Sequence, residues 1–174
     1  MVATDQRAGF SLIEVVLATG IFAIAVTVTL ALLPSLTRQA ADSADALAAQ
    51  RLPDNLRIEL QRLATGNFPG LAGAVPIMGA PLDNGLGFVA TRDVSRLHSL
   101  TYLPPAASAT IPAADQYFAI EVWRFGPGTL ASDGSAAVLP LYARVSWPCR
   151  TPGSAAPTAL ADRSQLTFTI ALDR

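Results

Sequence analysis

"RAGFSLIEVVLATGIFAIAVTVTLALLP", residues 7–34, decides how the rest of the chain is arranged. Val15 to Leu33 is a run of 19 residues without a charge. A helix needs about 20 such residues to cross the hydrocarbon core of a bilayer. Only Thr19, Gly20, Thr27 and Thr29 interrupt the run, and transmembrane helices tolerate such residues. One acid, Glu14, sits in the first turn. A charge at membrane depth costs a few kcal/mol, roughly 2.5–3.5, when it has no partner. Gly9 lies five residues before it.

Three arrangements compete for this segment. A cleaved secretory signal has an apolar core of only about 7–15 residues and a small-x-small site, and "ALLPSLTRQA" offers no convincing one. An ordinary signal anchor explains the length but leaves Glu14 without a purpose. In a prepilin-type segment the acid has a task.

"GFSLIEVVLATGIFAIA" resembles the class III signal of type IV pilins and type II secretion pseudopilins. That pattern is a short polar leader, then Gly, then Phe, with Glu as the fifth residue after the cut. Gly9, Phe10 and Glu14 fall on those positions. The motif spans about a tenth of the chain but is specific. The resemblance implies cleavage after Gly9 by a prepilin peptidase and N-methylation of Phe10. It also implies other pilin or pseudopilin subunits and an inner-membrane assembly platform as partners. Within the wider group, "GIFAIAVTVTLALLPSL" resembles the pilin-like Verru_Chthon cassette protein B family, where the apolar helix runs into a Leu-Leu-Pro step.

The chemistry can be stated from the residues. A cut after Gly9 creates a new amino group on Phe10 at the mouth of an apolar helix. Glu14 lies one turn on and faces the same side. It can pair with its own amine or, as the resemblance suggests, with that of a neighbouring subunit, setting axial register. The plain alternative is that Glu14 snorkels to the headgroups. In the leader "MVATDQRAG", Arg7 supplies a positive charge that Asp5 partly offsets. Arg38 follows the apolar run closely, so a cytoplasmic N-terminus rests mainly on the motif.

Beyond the apolar run, "SLTRQAADSADALAAQRLPDNLRIELQRLATG" is rich in helix formers. Leu52, Leu56, Leu60 and Leu63 recur at helical spacing on one face. One helix from about Phe10 to Ala64 is expected, ending near Gly66. Pro34 and Pro53 each remove a backbone donor and should kink or locally melt it. Pro34 matches a helix-breaking feature of the pilin family. Pro53 can instead open a second helix, with Asp54 and Asn55 in its first turn. Residues 65–87 are dense in Gly and Pro and read as an irregular connection, with "DNG" at 83–85 as a turn. Too few carboxylates are present there for a calcium loop.

The C-terminal part alternates with period two. "FAIEV" (118–122), "LYARVSW" (141–147) and "LTFTIAL" (166–172) each place apolar side chains on one face, which predicts half-buried strands. Weaker strands are expected over Gly87–Thr91 and Leu97–Leu103. The order suggests an antiparallel meander with one solvated face, its apolar face covered by the Leu-bearing helix. The fold class expected is therefore α+β, a long N-terminal helix packed on an antiparallel sheet, pilin-like. Its domains are a leader over 1–9, a helix over 10–64 that is transmembrane over about 12–33, and a periplasmic β-sheet domain over 65–174.

Composition narrows the function. The net charge is -1 and the charged fraction 14%, so there is no basic footprint for nucleic acid. All 12 basic residues are Arg. The single Cys149 excludes an intramolecular disulfide, including the C-terminal loop that major pilins close. The single His98, in "RDVSRLHSLTYL", reads as a surface or strand residue rather than part of a triad. Asp115 and Glu121 read as edge charges, and Trp123 and Trp147 as packing. No catalytic, cofactor or metal site is expected. The chain reads as a structural minor pilin or pseudopilin, inserted once through the inner membrane with its C-terminal domain in the periplasm, then assembled into a filament. The alternative is an uncleaved, membrane-anchored periplasmic binding or scaffold module.

Overall fold

The computed structural model describes residues 11–79, 82, 84–126, 137–150 and 156–174. The chain divides into two compact units, Met1–Ala44 and Asp45–Arg174.

Helix α1 spans Leu12–Ala49, and the first unit holds its apolar part. Large side chains there are exposed, with Leu12 at 83% and Phe22 at 69%. This helix is long and apolar enough to cross a membrane. Its hydroxyls are turned inward on their own helix. Thr19, Thr27 and Thr29 donate to the carbonyls of Val15, Ala23 and Ala25, each at 2.8 Å. Those bonds leave a surface that hydrocarbon can solvate. Pro34 lies within α1, which continues through it.

The long N-terminal helical region runs to Ala64 with one interruption, and Pro53 opens its second segment. α1 ends at Ala49, and α2 spans Leu52–Ala64 after a turn at Gln50–Arg51. The cause is Pro53. It has no amide to give the Ala49 carbonyl, and its ring would clash there. In the first turn of α2 its missing donor costs nothing. α2 buries Leu52, Leu56, Leu60 and Leu63, each worth about 1.5–3 kcal/mol relative to exposure.

The stretch over 65–87 is not wholly irregular. Helix α3 spans Phe68–Ala74, with Asn67 as its cap: Asn67 Oδ1 accepts from the Gly70 amide at 2.9 Å. Pro69 fits its first turn, and Phe68, Leu71 and Ala72 enter the core. The expected turn at 83–85 begins at Asp83, outside the described residues.

Among the described residues five strands follow: β1 Leu86–Ala90, β2 Leu97–Ser99, β3 Phe118–Arg124, β4 Val138–Trp147 and β5 Ser164–Asp173. All neighbours are antiparallel, in the order β2-β1-β3-β4-β5. β3, β4 and β5 form the expected antiparallel meander, and β3 also returns to pair with β1, which leaves β2 at an edge. The fold is α+β and pilin-like, a long N-terminal helical region followed by an antiparallel sheet. Within the second unit, the α2 leucines and the inner sheet residues Phe118, Ile120, Val122, Leu141, Ala143 and Val145 belong to one core.

The opposite face is not simply solvated. Trp123 on that face is only 1% exposed. A side-chain carbon placed on Gly85 would sit 2.8 Å from its ring and 2.9 Å from the Val122 amide nitrogen. Glycine is thus required there by close approach. Arg144 lies 5.1 Å over the Trp123 ring and bonds Glu121 at 2.6 Å. Glu121 is therefore not an edge charge but half of a cross-strand pair between two inner strands.

Candidate functional site

Gly9 and Phe10 lie outside the described residues; Glu14 and its surroundings are described. Glu14 is the third residue of α1. Its amide donates to the Ser11 carbonyl at 3.0 Å, and its Oε2 accepts from the Ser11 amide at 3.2 Å. A carboxylate at this position reaching back to the cap residue's amide is half of a capping box. It satisfies one of the helix's unpaired donors and lies at the positive end of the helix dipole. The pattern Ser11-x-x-Glu14 is visible in the sequence, but the spacing to Gly9 and Phe10 masks it. The geometry leaves a carboxylate within reach of the backbone one residue past Phe10, already acting as an acceptor.

A second polar cluster, which sequence reasoning missed, stands at the start of the second unit. Asp45 is 7% exposed. Arg92, on the turn between β1 and β2, grips it with two bonds, Nε to Oδ1 at 2.7 Å and Nη2 to Oδ2 at 3.0 Å. The Tyr117 hydroxyl donates to Oδ2 at 2.6 Å, and Arg92 lies 5.0 Å over the Tyr117 ring. Burial raises the Asp45 carboxyl, but the hydrogen bonds from Arg92 and Tyr117 outweigh it and hold the group below its usual value.

The same turn reaches α2. Asn55 Nδ2 donates to the Val94 carbonyl at 3.2 Å. Val94 is buried and held at φ 60°, a left-handed conformation that a β-branched residue rarely takes. Asp93 fixes the turn by accepting from Thr91 Oγ1 at 2.6 Å and from the Ser95 amide at 3.1 Å. These bonds hold its carboxyl down at about 2. One turn thus clasps residues on both sides of the break at Gln50–Arg51.

Asp45→Ala is expected to destabilise the second unit by about 2–3 kcal/mol, the worth of hydrogen bonds to a charged group. Arg92 remains hydrated, with its side chain 58% exposed, so no buried cation is stranded. Because the folded carboxyl is depressed, the stabilisation is present above the ordinary carboxyl range and is lost as pH falls through the folded value. Urea unfolding from pH 7 down to pH 2–3 checks this. The gap between wild type and Asp45→Ala should shrink as the solution becomes acid.

The other singled-out residues are structural. His98 lies on β2 and is buried. Its Nε2 accepts from the Ile111 amide at 2.9 Å, so Nδ1 carries the proton and donates to the Ser99 carbonyl at 2.9 Å. Both ring nitrogens are engaged by backbone, which leaves neither for base catalysis. Trp147 packs in the core, and Cys149 is buried.

The prokaryotic N-terminal methylation motif matches residues 5–30. The chain is type IV pilin-like: this motif opens an apolar helix, and the fold beyond it is α+β. The motif implies prepilin peptidase and other pilin subunits as partners, suggests a structural rather than enzymatic protein, and is consistent with an inner-membrane anchor. No curated protein and no solved structure gives a significant match to the chain.

Proposed function

We propose that the chain is a non-catalytic minor subunit of a type IV pilus or a type II secretion pseudopilus. Residues 1–9 are a leader removed by prepilin peptidase after Gly9, and Phe10 is then N-methylated. The apolar part of α1, about 12–33, holds the precursor in the inner membrane with its N-terminus in the cytoplasm. The β-sheet domain lies in the periplasm until an assembly platform draws the subunit into the filament. Pro34 is where the helix yields during that step. The observation that carries this reading is the methylation motif on residues 5–30, opening an exposed apolar helix that starts at Leu12.

The cut supplies Glu14 with a stronger partner than it has in the precursor. A new ammonium on Phe10 would stand beside the Ser11 amide that the carboxylate already engages. A charge-assisted bond to that ammonium, or to a neighbour's, is about twice as strong as one to a neutral amide.

The bond to the Ser11 amide also supports a second reading. It gives Glu14 a purpose in an uncleaved chain, and so favours a permanently anchored periplasmic module. Intact mass of membrane-extracted protein separates the two. The expected mass lacks residues 1–9 and carries one added methyl. Full-length protein in cells with an active prepilin peptidase overturns the proposal and leaves the anchor.

A further inference from the structure

The two edges of the sheet are built differently. β2 is three residues long, and a short edge resists pairing with other chains. β5 is ten residues long, "SQLTFTIALD". From Ser164 to Leu172 it has no charge, no proline and no glycine. Natural edges are usually blunted by such residues, and this one is not.

The backbone groups that β5 turns away from β4 can be assigned. The Arg174 amide donates to the Ala137 carbonyl at 2.9 Å, one step beyond the Val138–Asp173 pair. Backbone groups alternate sides along an antiparallel strand. Leu166, Phe168, Ile170 and Leu172 therefore turn theirs toward β4. Gln165, Thr167, Thr169 and Ala171 turn theirs outward. Asp173 does too, and there Gln61 of α2 reaches the Asp173 carbonyl at 3.2 Å. The apolar face is also incomplete beside this edge. Ile170 and Leu172 are buried, whereas Leu166 and Phe168 are only partly covered.

We propose that β5 pairs antiparallel with β5 of a second copy of this chain, centred on Phe168. The strand is its own complement in that register. Thr167 faces Thr169, Gln165 faces Ala171, and Arg163 faces Asp173. Shifting the register by one hydrogen-bonded step loses the opposition of unlike charges. Arg163 is fixed at the start of the strand by the Thr158 carbonyl and the Ser146 hydroxyl. Among the described residues, the Asp173 carboxylate pairs with Arg57 through an exposed contact at 3.7 Å, which it can exchange. The two Phe168 side chains meet across the symmetry axis and cover each other. The pairing is isologous, so it consumes the open edge and stops at two copies rather than propagating. It is separate from processing at Gly9 and stands whether or not the leader is removed.

The test uses the full chain in detergent micelles. Wild type is expected to sediment as a dimer that dissociates on dilution. Thr167→Lys with Thr169→Lys places like charges on the solvated face of the edge and is expected to sediment as a monomer at the same concentration. Trapping covers the case in which the lysine pair alters the fold. Opposed residues of a hydrogen-bonded antiparallel pair have Cα atoms about 5.5 Å apart, within disulfide reach. Mixed Thr167→Cys and Thr169→Cys chains should therefore cross-link under mild oxidant, several-fold more than either variant alone. A monomeric wild type, a dimer that survives in a folded lysine variant, or mixed chains that cross-link no better than single ones overturns the pairing.

Discussion

Gly9→Asp is expected to leave the chain full length while it still enters the membrane. Insertion depends on the uncharged run from Val15 to Leu33, which the substitution does not touch. The proposed processing would require a peptidase to close around the carbonyl of residue 9. Glycine leaves no side chain between that carbonyl and the enzyme and lets the backbone approach closely. Aspartate adds both bulk and a negative charge at the bond to be cut. The mature species should fall from most of the membrane-extracted protein to a trace, as read by intact mass. Normal cleavage of this variant would show that Gly9 does not define the site.

Glu14→Ala is expected to be processed normally yet to be absent from sheared filaments. Removing the acid makes insertion easier, since an unpaired charge at depth costs roughly 2.5–3.5 kcal/mol. It also removes the bond to the Ser11 amide. A lost helix cap costs typically about 1 kcal/mol, too little to stop a helix stabilised by lipid. A failure to assemble must therefore come from the missing charge. Glu14→Gln separates the two roles, because an amide oxygen can still accept from Ser11 but carries no charge. It is expected to fail as the alanine variant does. Incorporation of Glu14→Gln at the wild-type level would show that the carboxylate is a cap and does not set register.

What the sequence revealed follows from what has a period. The stripe Leu52, Leu56, Leu60 and Leu63 predicted one buried helical face, and all four are buried. The alternation in β3 and β4 placed the inward side chains correctly, because burying one face enforces period two. Features without a period were missed. α3 is too short for a stripe; its signal was Asn67 with Pro69, and packing of Phe68 and Leu71 completes it. The position of β2 is a matter of long-range pairing that local spacing does not encode. Asp45 belongs to no periodic pattern, and only the fold brings Arg92 and Tyr117 to it. At the helix start, Glu14 takes part in two overlapping patterns. The spacing from Gly9 exposed one, and Ser11-x-x-Glu14 carried the other.

The clasp at Asp45 also bears on force. Among the described residues, Asp45 is the first along the chain to be buried. If the chain is drawn by its N-terminal helix, as proposed, tension would arrive there before it reached the leucines of α2. The ion pair to Arg92 and the bond from Tyr117 are short and oriented. They form a stiff, sacrificial attachment ahead of a softer apolar core. A weakened clasp would let residues 45–51 peel away under load while the sheet stayed folded. Asp45 would thus serve twice, adding to equilibrium stability and meeting the load before the apolar core does.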